Sequence, residues 1–474
     1  MAGPNQGVAQ RSQSLDGYRR LRGIPVGNAV AFIRDQSVSG EKFQQMDPVS
    51  AHADRLRLAA ASAIGTTLEW YDFTIYNVMA ALVFNVVFFP SYDPLVGTLL
   101  AFSTYAVGYF SRPFGGFVFG HLGDRLGRRF VLYVTITLMG VASCLIGLLP
   151  SYHAWGLWSP ALLVLLRFVQ GVTIGGEWAG AVLLSLENSA ADRRGRSGSY
   201  AQLGPACGTI LGMSTVGAVT LVVSPAGFES WGWRLPFALS ALLVAFGIWL
   251  RRGVDETAAF VALQSSAAAS PAPLREVARR HLRGVLISIA ARSGPDVLYG
   301  LLVVFTLTYV TTILHLGRPV ALIATVIGAA CNAVCIPLWA SWSDRVGRRP
   351  VTIAGALLSA LWVFAYFRLL DTRQTVLIDV GVAVALALHA AMYGPQAALI
   401  AEQFPTRVRY AGCSVAYTLT GIVAGGVAPL IFGVLYRAYG ATLPLSLYVC
   451  AALAVTVVVL WRTAETAKAP LRET

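Results

Sequence analysis

Apolar residues in this chain gather in long runs separated by short polar connections. Twelve such runs fall at approximately 58–84, 95–120, 129–149, 160–186, 198–223, 233–251, 284–314, 319–341, 350–370, 375–401, 408–435 and 441–462. A bilayer-spanning helix needs about 20 mostly apolar residues, and a helix satisfies its own backbone polar groups where no water is present. The pattern predicts an all-α integral membrane protein with twelve transmembrane helices. Residues 1–50 are polar, rich in Gln, Ser and Gly, and lack the apolar core of a signal peptide. A disordered tail is expected over 1–54, and Met46, opening "MDPVSAHADRLRLAAAS", could itself begin translation.

Composition agrees with lipid as the solvent. Of 474 residues, 56% are hydrophobic and 12% charged, against about 25% charged in soluble domains. A net charge of +13 raises the question of nucleic acid. However, the arginines sit in short clusters between apolar runs, which is how topology is written. Arg55 and Arg57, Arg193, Arg194 and Arg196, Arg275 to Arg283, Arg348 and Arg349, and Arg462 all fall on one side. The other side holds few, among them Arg234, Arg318, Arg373 and Arg437. The rule that positive loops stay inside puts both termini and a linker over 253–283 in the cytoplasm. The six cysteines lie in apolar runs without CxxC spacing and read as small buried thiols.

The chain also repeats itself. "GHLGDRLGRR" at 120–129 returns as "ASWSDRVGRR" at 340–349, each at the same end of an even-numbered run. "LENSAADRRGRSG" (186–198) is echoed more weakly by "AEQFPTRVRYAG" (401–412). Two pseudo-symmetric six-helix bundles follow, over 55–252 and 284–462, with a short tail at 463–474. Parallel repeats of this kind place a substrate site near the bilayer midplane between the halves. In the first loop Gly123 and Gly127 permit the turn. Asp124 can face a helix N-terminus or an Arg of the opposing half, a bond that exists in one conformation only. The candidate gate is Asp124, Arg125 and Arg128 with Asp344 and Arg345 in the second copy; simple anchoring of topology is the alternative.

Charges inside the spans carry the candidate chemistry. Gly65, Glu69, Asp72 and Tyr76 recur at i, i+4, i+7 and i+11 and share one helix face. Each acidic residue at mid-membrane costs roughly 2.5–3.5 kcal/mol on insertion scales. The available partners are Arg112 in span 2, Arg167 and Glu177 in span 4, and Arg292 with Asp296 in span 7. One reading of Glu69 and Asp72 is a permanent salt bridge to Arg112 or Arg167. The other is proton exchange as the cavity opens to each side, because moving an Arg changes a buried carboxylate's proton affinity. Arg292 and Asp296 are i,i+4 and either neutralise each other or form part of a site. His389 and Asn332 read as satisfied polar residues. Buried Arg favours an anionic organic acid through paired planar donors, while Trp70, Tyr71, Phe73 and Tyr76 keep open a betaine-like cation held on aromatic faces. Glycines at 108, 116 and 120, and at 204, 208 and 212, read as packing stripes.

"GHLGDRLGRR" resembles the signature loop of the major facilitator superfamily. "IGTTLEWYDFTIYN", "RPFGGFVFGHLGDRLGRR", "RFVQGVTIGGEWAGA" and "YGPQAALIAEQFPTRVRYAGCSVAY" followed by "GGVAPL" are similar to its metabolite:proton symporter branch, over residues 55 to about 462. That resemblance implies proton-coupled uptake of a small metabolite by alternating access. It implies a bacterial inner-membrane location, no cofactor, no nucleic-acid partner, and a monomer in the bilayer. The second loop begins Ala340-Ser-Trp-Ser343 where the first has Gly120 and Gly123, so looser packing is expected there. An enzyme is disfavoured, since no phosphate loop, nucleophile motif or metal-ligand spacing occurs. A membrane sensor is the remaining alternative, though the sequence offers no sizeable output domain.

Overall fold

The computed structural model of the protein describes residues 48–92, 94–116, 118–119, 128–175, 177–187, 189–251 and 273–467. Of the disordered tail expected over 1–54, residues 1–47 lie outside the described residues and 48–54 are helical instead. Of the linker expected over 253–283, residues 253–272 lie outside them and Pro273–Arg280 forms a short helix. The loop at 120–127 also lies outside. No strand occurs among the described residues. The long helices are α1 (Pro48–Leu82), α2 (Pro94–Phe110), α3 (Arg128–Leu148), α4 (Trp158–Ile174, continued as Glu177–Glu187), α5 (Leu203–Val222) and α6 (Leu235–Arg251). They are followed by α7 (Leu282–Tyr299), α8 (Arg318–Val346), α9 (Arg348–Asp371), α10 (Thr375–Ala401), α11 (Thr406–Thr420, resumed as Ala428–Tyr439) and α12 (Leu443–Trp461).

Eight of the described helices are long and apolar enough to cross a membrane, and Val134–Leu148 and Gly232–Phe246 are shorter apolar helices. The chemistry of α1 sets it apart from these. It carries Thr66, Thr67, Glu69, Asp72, Thr74 and Asn77 on a single helix, which dilutes its apolar content. On the outside of the bundle, Leu221 is 83% and Val222 86% exposed, as side chains facing lipid should be. Trp155, Trp158, Tyr439 and Trp461 are exposed near helix ends, where amphipathic rings suit the headgroup level.

Helix contact inside the first half is glycine-built. A Cβ on Gly208 of α5 would stand 2.6 Å from the Trp70 Cβ, and one on Gly212 2.8 Å from Thr74 Cγ2. The α2 and α4 backbones touch in the same way, with Gly115 against the Val172 carbonyl and Gly171 against that of Gly108. Such approach lets helices associate where burial against lipid supplies no drive. Gly208→Val is expected to destabilise the protein by about 1–3 kcal/mol through overpacking, read as a lowered melting temperature in detergent. A Cβ on Gly217 of the same helix meets nothing within 4 Å among the described residues, so Gly217→Val should melt like the parent.

Two helices of the second half lose regular winding. After Tyr299, α7 passes through wide π-helical turns at Gly300–Phe305 and Tyr309–Ile313, and α11 does so at Gly421–Gly426. Extra residues in such turns re-aim side chains and are frequent at functional sites.

Candidate functional site

The opening face of α1 feeds two polar clusters. In the first half, Ser240 of α6 donates a hydrogen bond to Asp72 Oδ1, and Ser143 of α3 is another polar neighbour of this carboxylate. Gln170 Nε2 donates to Ser143 Oγ at 2.7 Å, and its Oε1 accepts from Arg167 Nη1 at 3.1 Å. A chain of polar contacts therefore runs from Arg167 through Gln170 and Ser143 towards Asp72. Arg167 is wholly buried. Its guanidinium lies 4.0 Å from the Phe73 ring centre and 4.1 Å from that of Tyr76. Gly108 leaves it room, since a Cβ there would come 2.7 Å from Arg167 Nε. Tyr76 Oη shares a 2.5 Å hydrogen bond with Thr104 Oγ1.

Between the halves lies a nearly closed cleft with a cavity volume of about 20 Å³. Trp70, Tyr109 and Pro205 line it from the first half, with Arg292, Asp296, Tyr299, His389, Tyr393 and Gly425 among those opposite. Arg292 Nε contacts both Asp296 oxygens, at 3.1 and 3.0 Å, and its Nη1 donates to the Tyr417 carbonyl at 2.7 Å. Tyr299 Oη bonds Thr209 Oγ1 at 3.0 Å, and its ring stands edge-on to Trp70 at 5.9 Å.

Arg112 sits where the halves meet. It is 2% exposed, its guanidinium 4.0 Å from the Tyr109 ring centre and 4.8 Å from that of Phe73. A Cβ on Gly421, in the wide turn of α11, would come 3.7 Å from its Nη1. Its Nε and Nη1 have no hydrogen-bond partner among the described residues. Buried guanidinium donors are ordinarily paired, because leaving one unsatisfied costs its desolvation.

At the end of the bundle carrying 340–349, Asp344 accepts from the backbone N–H of Gly195 at 2.8 Å and of Arg196 at 3.0 Å. These amides open the short helix Arg194–Gly198 of the first half. Arg348, fully buried, bonds Asp344 at 2.6 Å and Glu402 at 3.3 Å. Gly347 turns the chain between α8 and α9 at φ 117°, which a side chain would strain. Beside Ala340 the close approach is made by Gly195, since a Cβ on it would come 2.8 Å from the Ala340 carbonyl. The looser packing expected there is relative to the first-half loop, which lies outside the described residues. Glu465 caps α9, accepting from the N–H groups of Arg348 and Arg349 at 2.9 and 3.0 Å. Burial alone would raise its proton affinity, but these amides and those of Thr466 and Ala467 outweigh it and hold the carboxyl below its usual range. Across the opposite end, Arg318 pairs with Glu229 at 2.6 Å.

The sequence candidates thus separate into groups. Arg292 and Asp296 line the cleft as an ion pair, and Arg112 lies beside it. Asp72, Tyr76 and Arg167 sit in the interior of the first half, outside the cleft lining. Glu69 is buried, and its charge is felt at Tyr417. Asp344 joins the interlocked end, whereas Arg345 is exposed and its neighbour Arg348 makes the contacts. Asp124 and Arg125 lie outside the described residues, as do the side chains of Arg128 and Glu177. Sequence reasoning missed Arg348, Glu402 and Glu465, and it missed the serines around Asp72. Glu402 had a signal, standing in the segment that echoes 186–198.

Helices broken beside a central cleft, buried charges, and two halves interlocked at one end describe a secondary transporter. The family model for sugar (and other) transporters matches residues 58–270 and 261–474. Among curated proteins, the chain is 38% identical to the shikimate transporter of Escherichia coli K12, over 79% of this chain and 86% of that one. It is 34% identical to an inner membrane metabolite transport protein of the same organism, over 89% and 96% respectively. A proline/betaine transporter of Salmonella typhimurium is 33% identical over 78% of this chain and 76% of its own. Among solved structures, a proton:xylose symporter of the major facilitator superfamily superposes with a TM-score of 0.71 at 18% identity, covering 88% of this chain and 98% of that one. The chain therefore belongs to the sugar (and other) transporter family. It has the twelve-helix, two-domain fold of the major facilitator superfamily and is a multi-pass membrane transporter.

Proposed function

We propose that the protein takes up a small organic acid together with a proton, by alternating access of the central cleft. The observation that carries this reading is Arg112, a buried guanidinium with unpartnered donors beside the cleft. Paired planar donors suit a carboxylate, and a substrate carboxylate would supply the partner that the described residues lack. The E. coli relative named as a shikimate transporter points the same way. Asp72, reached from Arg167 through Gln170 and Ser143, is the proton site in this proposal, with Glu69 its neighbour on the same face. The bundles 55–252 and 284–462 rock about the cleft, and the interlocked end faces the cytoplasm with both termini. Uptake into proteoliposomes of the purified protein, across a panel of organic acids with and without a pH gradient, tests the reading. Acid uptake that the gradient does not accelerate would remove the proton from it.

A second reading has its own support. Trp70, Tyr109, Tyr299 and Tyr393 line the cleft beside Asp296, an aromatic setting in which a quaternary ammonium binds well. Glycine betaine or proline would then be the substrate, as the Salmonella relative's name suggests for that protein. Competition by glycine betaine against a labelled organic acid separates the two.

In either case the interlocked end acts as a gate. Asp344→Asn can keep Gly195 and Arg348 on its one amide oxygen, loses the Arg196 N–H at the position of Oδ2, and removes the negative charge paired with Arg348. Expected is a several-fold fall in turnover with substrate affinity within about twofold, in rates and binding constants measured side by side. Lost binding at unchanged rate would contradict the gate role.

A further inference from the structure

The wall of the cleft facing Trp70 holds a polar atom with nothing to bond. His389 of α10 is 1% exposed and lines the cleft, yet its Nε2 has no hydrogen-bond partner among the described residues. The other ring nitrogen is fixed. Asn332 Nδ2 lies 2.7 Å from the Leu386 carbonyl oxygen, which can only accept, so the amide nitrogen is the atom placed there. The same nitrogen stands 3.2 Å from His389 Nδ1 and directs its second hydrogen to it. Nδ1 is therefore an acceptor and carries no proton, which puts the ring hydrogen on Nε2. The imidazole is wedged between Tyr299 at 5.3 Å and Tyr393, stacked at 5.2 Å. The result is an oriented N–H donor in an aromatic wall, with no partner among the described residues.

We propose that His389 Nε2–H is a substrate-binding donor that selects acids bearing a second oxygen, a hydroxyl, keto group or further carboxylate, besides the carboxylate held by Arg112. This rests on the organic-acid reading and narrows it. An unpartnered donor on the cleft wall of the second half and another beside the cleft in the first half call for a ligand with acceptors at two places. A ligand lacking the second oxygen leaves Nε2–H dry and unpaired, which a site built for hydrogen bonding rejects strongly. Asn332 is then a positioning residue, acting through the tautomer it imposes.

The test uses the full chain in proteoliposomes and two matched pairs of probes. These are a trihydroxycyclohexenecarboxylate against cyclohexenecarboxylate, and pyruvate against propionate, with binding followed by tryptophan fluorescence. The parent protein is expected to prefer the oxygenated member of a pair about tenfold or more. His389→Leu should erase that preference by weakening the oxygenated acid alone, leaving its counterpart within about twofold. His389→Gln, whose amide reaches a similar point with an N–H, should recover part of it. Asn332→Leu, which frees the tautomer, should lower the preference without abolishing binding. Equal weakening of both members of a pair in His389→Leu, or no change in either, overturns the role of His389 while the organic-acid reading stands. Failure of the parent to bind either oxygenated acid overturns both.

Discussion

Arg112→Ala is expected to weaken binding of the transported acid by a hundredfold or more without lowering the melting temperature of the substrate-free protein. The two halves of this expectation come from one fact. Arg112 Nε and Nη1 have no partner among the described residues, so removing the side chain breaks no ion pair seen there and relieves a buried charge. Its loss costs the stacking on Tyr109 and Phe73, about 0.5–2 kcal/mol, and its attraction to Asp296, against which stands the relief of its own desolvation. A substrate carboxylate, by contrast, loses charge-assisted hydrogen bonds worth roughly 1.5–3 kcal/mol each. Arg112→Lys should fall between, because an ammonium keeps the charge and loses the planar fork. Calorimetric or fluorescence binding with melting curves for all three proteins decides it. A melting point that drops steeply in Arg112→Ala while affinity holds would make Arg112 a structural cation.

Much of the fold was legible because lipid imposes a simple code. Long apolar runs forecast spans, and the loop "DRLGRR", returning as "DRVGRR", forecast the two halves. In the second copy, Gly347 at φ 117° shows why that loop needs its glycine. Asp344 makes with the amides of Gly195 and Arg196 the kind of contact that the motif suggested for Asp124. The apolar glycine stripes also read correctly as packing, with Gly208 and Gly212 against Trp70 and Thr74.

The site was legible only in part, and for a physical reason. Periodicity says which residues share a helix face; it does not say which neighbouring helix that face meets. Asp72, Tyr76 and Glu69 share a face of α1, but Ser240 of α6 takes Asp72 inward while Tyr76 turns to Thr104 of α2. Serine is too common in membrane helices for Ser143 and Ser240 to stand out. Asn332 is a satisfied polar residue, as expected, whereas His389 Nε2 has no partner among the described residues. As residue types they read as satisfied, and only the carbonyl of Leu386 and the orphaned Nε2 reveal an oriented donor. The π-helical turns of α7 and α11 likewise follow from local winding that no apolar run encodes, though Gly421, Gly425 and Gly426 mark one of them.

Asp72→Asn is expected to abolish accumulation driven by a pH gradient while leaving substrate exchange at equilibrium intact. The isosteric amide can still accept from Ser240 and can meet Ser143, so the packing of α1 against α3 and α6 survives. What it cannot do is take up and release a proton. Arg167 is tied to this position through Gln170 and Ser143. A rocking motion that lengthens or shortens that chain would change the proton affinity of the carboxylate in step with access to the substrate. The contacts also give a second variant. Ser240→Ala removes a donor to the ionised form and leaves the carboxylate in place, so coupled uptake should persist with its pH profile displaced. Glu69→Gln, altering the neighbour nearer Tyr417, should weaken uptake less than Asp72→Asn. Substrate-induced proton entry into vesicles, followed with a pH-sensitive dye for each variant and for the Glu69→Gln, Asp72→Asn double mutant, is the deciding measurement. A double mutant that still concentrates substrate at the parental rate would leave both carboxylates structural and place the proton elsewhere, with the Arg292–Asp296 pair of the cleft wall the next group to titrate.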